Sequence, residues 1–251
     1  MRIDLYLKDK FGSRNKAAKA VSDGLVLVNG KSVSSSYEVK EGDDITFITS
    51  DISFVSAGGY KLNKALKDFD FSVKDGIFAD IGASTGGFTD CLLQRGAKKV
   101  YCIDVGESQL DTSLKDKNIV IIDNFNARNL SRDTFEEKLT GVVIDVSFIS
   151  LTYILGAVAD ILEGGASVLA LIKPQFECGT HSVGKNGIVR ELSQRKRIIK
   201  KICEFSESVS LAPIQITNAP VIKGKNIEYI LRLEKCGKSV GADCILNSVT
   251  V

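Results

Sequence analysis

A chain of 251 residues with 44% hydrophobic and 25% charged residues has the make-up of an ordinary globular protein, which excludes a disordered or membrane-embedded one. That length buries a full α/β core and leaves room for one small extra module. The net charge of +2 discriminates little, but residues 1–40 carry eight Lys or Arg against four acids, a local excess of +4 that suits a polyanionic partner.

The chain starts Met1-Arg2-Ile3-Asp4 with interleaved charges and no apolar run, which predicts no secretion signal and a cytoplasmic protein. Apolar residues at Ile3, Leu5, Tyr6 and Leu7 predict a short amphipathic helix over Arg2 to Phe11. Ser13 can cap a second helix, Arg14 to Ser22, which gathers Arg14, Lys16 and Lys19 in one neighbourhood and stops at Gly24. Leu25 to Val28, Asn29-Gly30 and Lys31 to Val33 read as a hairpin, because Asn-Gly accepts the positive φ angles of a type I′ turn. A further strand falls at Asp44 to Ile48, so residues 1–48 form a small α+β module, followed by a linker over 49–55.

From residue 60 onward short apolar runs alternate with helical stretches. The runs are Ile77 to Ile81, Val100 to Asp104, Ile119 to Asp123, Val142 to Asp145 and Ser167 to Ile172; helices are read at Gly87 to Arg95 and Leu151 to Leu162. Such alternation predicts a parallel sheet covered on both faces, with ligands at the carboxyl ends of its strands. Runs near Val209 to Ile216 and Ile227 to Leu233 lack a clear helix between them and predict an antiparallel pair closing one edge. The predicted fold class is therefore α/β, a Rossmann-like sheet over 56–236, whose antiparallel edge is the habit of class I methyltransferases rather than of dehydrogenases. Residues 237–251 match no pattern and read as a frayed tail.

The longest apolar stretch, Val146 to Ala159, is shorter than the roughly 20 residues that span a bilayer, so no membrane segment is expected. Six cysteines without a C-x-x-C pair and a lone His181 predict reduced thiols and no metal site.

The loop Asp80-Ile81-Gly82-Ala83-Ser84-Thr85-Gly86-Gly87 follows a strand and opens a helix at Gly87-Phe88. Glycines there let backbone approach a ligand. The spacing is G-x-x-x-G-G, not the G-x-G-x-x-G that admits a pyrophosphate, which disfavours a nicotinamide cofactor. Asp104, 22 positions after Gly82, ends the next strand, where a carboxylate accepts from ribose hydroxyls, and Asp123 ends the third, within reach of an adenine edge. Asp80, Gly82, Ser84, Thr85, Gly86, Gly87, Phe88, Asp104, Asp123 and Asp145 are the expected binding residues for S-adenosyl-L-methionine.

The acceptor is read from what is missing and what is present. No N-P-P-Y tetrapeptide marks an amino-group methyltransferase, and no cysteine precedes Pro174, Pro213 or Pro220 as in cytosine-C5 enzymes. A ribose 2′-hydroxyl instead needs an amine or ammonium beside it. Lys173 closes a strand, Lys61 begins a helix after Gly58-Gly59-Tyr60, and Glu228 lies beside an apolar run where an unpaired carboxylate is costly.

The order Lys61, Asp145, Lys173, Glu228 resembles the K-D-K-E tetrad of FtsJ-like ribose 2′-O-methyltransferases. The strings F-V-S-A-G-G-Y-K-L, D-I-G-A-S-T-G-G-F-T-D-C-L-L, V-I-D-V-S-F-I-S-L, L-I-K-P-Q-F-E and N-I-E-Y-I-L resemble the TlyA subfamily more narrowly. R-I-D-L-Y-L, S-R-N-K-A and G-L-V-L-V-N-G-K are similar to S4-type RNA-binding domains, and the whole likeness spans about residues 1–234. The resemblance implies 2′-O-methylation of cytidine in ribosomal RNA. The short form of the subfamily, which this chain is similar to, implies the large-subunit RNA. Lys173 would be the central base or alkoxide stabiliser, Asp145 and Lys61 would tune it, and Glu228 would orient the reacting groups. The family usually has Arg where this chain has Ala57, a loss for which Lys64 or Lys67 is the expected substitute. Members have been called haemolysins, but no feature of the sequence supports a pore.

The expected partner is ribosomal RNA or a ribosomal subunit, with Arg2, Arg14, Lys16 and Lys19 on phosphates and no obligate protein partner. The target nucleotide is expected to leave its stack, beneath a loop formed by His181 to Arg190. A nicotinamide-dependent oxidoreductase and a non-catalytic RNA-binding or membrane-lytic protein remain the alternatives.

Overall fold

The computed structural model describes residues 1–22, 24–47, 53–115, 117–178, 187–222 and 224–251. Most of the expected linker, 49–52, and most of the expected substrate loop, 181–186, lie outside them.

The first module holds helices α1 (Ile3–Tyr6), α2 (Lys8–Phe11) and α3 (Arg14–Ser22) and strands β1 (Val26–Val28), β2 (Lys31–Ser32) and β3 (Ile45–Phe47). The single helix expected over Arg2 to Phe11 is broken at Leu7, whose φ of −95° and ψ of 3° leave the helical range; Ile3 and Leu7 both remain buried. Ser13 Oγ accepts from Lys16 N at 3.2 Å and caps α3 as expected. Asn29 and Gly30, at φ 51° and 70°, turn β1 into β2.

The larger domain contains α4 (Ala57–Asp68), β4 (Ile77–Ile81), α5 (Gly87–Gln94), β5 (Lys99–Ile103), β6 (Ile119–Ile122), β7 (Gly141–Ile144), α6 (Leu155–Ile161), β8 (Ser167–Ile172), α7 (Pro174–Glu177), α8 (Leu192–Ser208), β9 (Leu211–Asn218), β10 (Tyr229–Lys235) and α9 (Ala242–Asn247). Seven strands form one sheet in the order β6-β5-β4-β7-β8-β10-β9. Only β10 runs against its neighbours, which is the antiparallel edge expected from the sequence. The helix read from Leu151 begins as a 3₁₀ turn, Leu151–Tyr153, before α6, and α8 occupies a stretch to which the sequence reading assigns no element.

Residues alternate across the sheet. Ile81, Ile103, Ile144 and Ile172 pack toward α6 and α8, while Phe78, Val100, Val143 and Leu171 join α4, α5 and the core of the first module. The module also touches the segment before β10: a Cβ on Gly24, at φ +72°, would stand 2.6 Å from Ile222, and Lys225 Nζ donates to Ser22 O at 2.5 Å.

The tail is not frayed. Ile245 and Val249 are buried against the sheet core, and Tyr229, which accepts from Arg195 Nε at 2.8 Å, donates to Val251 O. Apolar residues one helical turn apart supply the packing that composition alone hides. Ile245→Ala is therefore expected to lower unfolding free energy by about 2–3 kcal/mol in urea; an unchanged midpoint would leave the tail without a structural part.

Candidate active site

At the carboxyl end of β4 the chain must reverse into α5 under β7. Gly82, at φ +81°, makes that possible, because a Cβ would lie 2.6 Å from the Asp145 carbonyl oxygen. Gly87 is equally confined, by Ser56 Oγ and Gly59 N. The turn is pinned from the next strand: Asp104 Oδ2 accepts from Ser84 N and Oδ1 from Gly106 N, both at 2.8 Å. One strand farther, Asp123 Oδ2 accepts from Ser108 N at 2.9 Å.

A hollow of about 170 Å³ opens above this turn, lined by Ser56, Gly58, Gly82, Ala83, Ser84, Thr85, Gly87, Phe88, Asp145, Ser147 and Lys173. Gly82, Ser84, Thr85, Gly87, Phe88 and Asp145 were expected there. Gly86 instead backs onto Leu110 and Leu114, and Asp104 and Asp123 stand at neighbouring strand ends without lining the hollow.

Asp80 lies beneath the turn, fully buried. Its Oδ2 accepts from Thr89 N at 2.9 Å and Thr89 Oγ1 at 2.7 Å, whereas Oδ1 is buried with no partner. Burial pushes the Asp80 carboxyl up to about 7, against the Thr89 hydrogen bonds and with help from the Asp145 and Asp104 charges. Asp145 at the hollow, with Asp80 beneath its turn and Asp104 beside it, makes an acidic surrounding that fits a positively charged ligand such as S-adenosylmethionine, whose sulfonium and ammonium are both cationic.

The four residues of the tetrad form two ion pairs. Lys173 Nζ is 2.5 Å from Asp145 Oδ1, off the hydrogen-bond direction of that oxygen, and donates to Ser147 Oγ at 2.9 Å. Lys61 Nζ donates to Glu228 Oε2 at 2.6 Å. The first pair faces the small hollow. The second faces another, of about 450 Å³, lined also by Ala57, Gln175, Ile188, Pro220, Ile222, Gly224, Lys225 and Asn226. Ser56, Gly58 and Lys173 line the smaller hollow and their chain neighbours Ala57 and Gln175 the larger, so the segments 56–58 and 173–175 form a wall between the two.

Ser56, Gly58, Ser147 and Gln175 were not singled out from the sequence. Ser147 has a readable signal, since it follows Asp145 by two positions. Glu177 has none: its buried carboxylate accepts from Leu151 N at 2.8 Å and Ser150 Oγ at 2.5 Å, tying α7, which starts after Lys173, to the loop that starts after Asp145. Burial raises the Glu177 carboxyl above its usual range, opposed by those two donors. The loop also holds Phe148 at φ +64° and 90% exposed, with its ring 4.8 Å from that of Phe176.

In the first module Arg2 and Arg14 both reach Asp4, at 2.9 and 3.1 Å, and hold that buried carboxyl below the usual range despite its desolvation. Lys16 and Lys19 are exposed, and their charges add to the Ser113 hydrogen bonds that lower Asp111. Helix α3 thus faces the loop beside the glycine turn. Lys64, expected to substitute for an arginine at position 57, is held by Asp68 and Thr217. Among the described residues no cluster of His, Cys, Asp or Glu suits a metal ion, and no helix is long and apolar enough to cross a membrane.

This strand order, with its one reversed strand beside the edge and a hollow at the strand ends, defines a class I methyltransferase fold. The profile of the FtsJ-like methyltransferase family matches residues 54–235, and that of the S4 domain matches residues 1–45. The chain belongs to the FtsJ-like methyltransferase family and carries an S4 domain ahead of it, as the resemblance in its sequence implies. It is 40% identical over 236 residues to hemolysin A of Brachyspira hyodysenteriae, covering 92% of this chain and 98% of that one. It is 35% identical over 225 residues to the 16S/23S rRNA (cytidine-2′-O)-methyltransferase TlyA of Mycobacterium tuberculosis, covering 88% of this chain and 84% of that one. To the 23S rRNA (cytidine-2′-O)-methyltransferase TlyA of Campylobacter jejuni it is 31% identical over 254 residues, covering 91% of this chain and 97% of that one.

Proposed function

We propose that the protein transfers a methyl group from S-adenosyl-L-methionine to the 2′-hydroxyl of a cytidine in large-subunit ribosomal RNA, in the cytoplasm. The observation that carries the reading is the pair of lysine–carboxylate contacts, one in each of two adjoining hollows. Gly82, Ser84, Thr85, Gly87 and Phe88 would hold the donor in the smaller hollow, with Asp104 and Asp123 at the neighbouring strand ends to accept from its nucleoside, and bound there it would supply an electrophilic methyl. Lys173 is placed to take the hydroxyl proton when neutral, or to stabilise the developing alkoxide as an ammonium. Asp145 and Ser147 orient its Nζ. Lys61, held by Glu228, sets the electrostatics of the acceptor side. The domain limits that go with this reading are 1–48 for the RNA-binding module, 49–55 for the linker and 56–236 for the catalytic domain. The large-subunit target follows the 23S RNA common to both named TlyA relatives.

Mapping 2′-O-methyl sites in ribosomal RNA from cells with and without the protein tests this directly. A cytidine in 23S RNA is expected to lose its methyl group; an unchanged map, or binding of NAD instead of S-adenosylmethionine in calorimetry, overturns the reading. Because Arg2 and Arg14 are engaged with Asp4, the exposed Lys16 and Lys19 are the clean probes of RNA docking. Lys16→Glu with Lys19→Glu is expected to weaken RNA binding and flatten its dependence on salt by about two ions, measured as the slope of log Kd against log salt. An unaltered slope would make the module purely structural.

A further inference from the structure

We propose that the larger hollow receives the base of the target nucleotide and that Gln175 selects cytosine there, its side-chain oxygen accepting from the exocyclic amino group. The inference rests on the ribose-methylating function proposed above and adds the residue that chooses among bases.

Position comes first. Lys173 follows the last residue of β8 and Gln175 lies on the first turn of α7, two residues on, with Pro174 fixing the backbone between them. A nucleoside whose 2′-hydroxyl meets Lys173 at the wall between the hollows therefore has its base on the Gln175 side. The hollow there, about 450 Å³, falls within the range of small-ligand sites. Ile188, Pro220 and Ile222 give it apolar walls suited to the faces of a flat ring, and Lys61 and Glu228 give it a polar end.

Hydrogen-bonding capacity comes second. Of the two carboxamides in the hollow, Asn226 is engaged at both ends: its Oδ1 accepts from Val189 N and its Nδ2 donates to Gly187 O, both at 2.8 Å. Gln175 Oε1 is buried and has no partner. A buried acceptor without a donor is an unfavourable arrangement in the free protein, and a ligand that brings a donor relieves it.

Cytosine presents an amino group at the position where uracil presents a carbonyl oxygen. An acceptor at that point pairs with the first and repels the second. Sites that hydrogen-bond a substrate group reject analogues lacking it far more strongly than apolar pockets do.

The test uses the full-length protein and ribosomal subunits from cells lacking it, carrying either the mapped cytidine or a uridine at the same position. Labelled methyl groups are counted in 2′-O-methylcytidine and 2′-O-methyluridine after digestion, and the affinity for S-adenosylmethionine is measured separately. Gln175→Leu is expected to narrow the cytidine-over-uridine ratio of kcat/KM at least about tenfold, chiefly through cytidine, with cofactor affinity within twofold of the parent. Gln175→Glu keeps an oxygen acceptor and is expected to keep the preference for cytidine. An unchanged ratio in Gln175→Leu overturns the inference, and so does a reversed preference in Gln175→Glu. If the parent protein labels no ribose at all, it is the proposed function that fails.

Discussion

Lys173→Ala is expected to reduce methyl transfer by about a thousandfold or more while leaving affinity for RNA and for S-adenosylmethionine within a few-fold of the parent. Lys173 is 11% exposed and is the lysine that lines the smaller hollow, with Asp145 Oδ1 at 2.5 Å and Ser147 Oγ at 2.9 Å holding its Nζ. Lys61 cannot replace it, because it faces the other hollow in contact with Glu228. Lys16 and Lys19, the exposed lysines proposed to meet phosphates, lie on the first module, so RNA is expected still to bind. Lys173→Arg separates the two roles: a guanidinium keeps the charge that stabilises an alkoxide but cannot become neutral to take the proton, so turnover stays lost if Lys173 is the base and returns in part if it is the stabiliser. Single-turnover rates of the two variants decide the matter, and a rate within tenfold of the parent in Lys173→Ala would remove Lys173 from the chemistry. Removal also leaves Asp145 without its cation, so unfolding curves are needed to separate lost chemistry from lost structure.

The glycine turn and the strand-end aspartates could be read in the sequence because each depends on local spacing at a strand end, and the four charged residues were candidates because their order resembles a family tetrad. Their pairing could not be read. Glu228 precedes β10, whose Tyr229 lies opposite Ile172 of β8, yet its carboxylate crosses to Lys61 on α4. That contact spans 167 positions and depends on how α4 packs over the sheet. Arg2 and Arg14 show the same limit from the other side. Each is a surface cation by sequence, and the fold brings both to one buried Asp4. Glu177 gave no signal, because a charge that satisfies the loop following Asp145 looks like any helix-end acid until both segments are in place. Helix α8 and the tail were missed for a different reason. Their apolar residues are interrupted by charges, and only packing against β9 and each other shows which face is inside.

Asp80 carries the second large effect, on stability. Its folded carboxyl is raised to about 7 from an ordinary 3.8, so between those values the folded chain holds a proton that the unfolded chain does not. Stability from this group is therefore full below pH 4 and lost as pH rises toward 7, with a slope near 1.4 kcal/mol per pH unit in the middle of the window and a total of about 4 kcal/mol. Asp80→Asn has nothing to titrate. The stability of the parent should fall relative to that of Asp80→Asn between pH 5 and 7 in urea unfolding, and parallel curves would contradict the assignment. Glu177 is shifted in the same direction but is common to both proteins, so the difference isolates Asp80. The costly state at neutral pH is a buried carboxylate beside Asp145 and Asp104, and a cation bound nearby offsets that cost. Stabilisation by S-adenosylmethionine should accordingly grow from pH 5 to pH 8 in the parent and stay level in Asp80→Asn, a dependence that a neutral ligand at the same site would not produce.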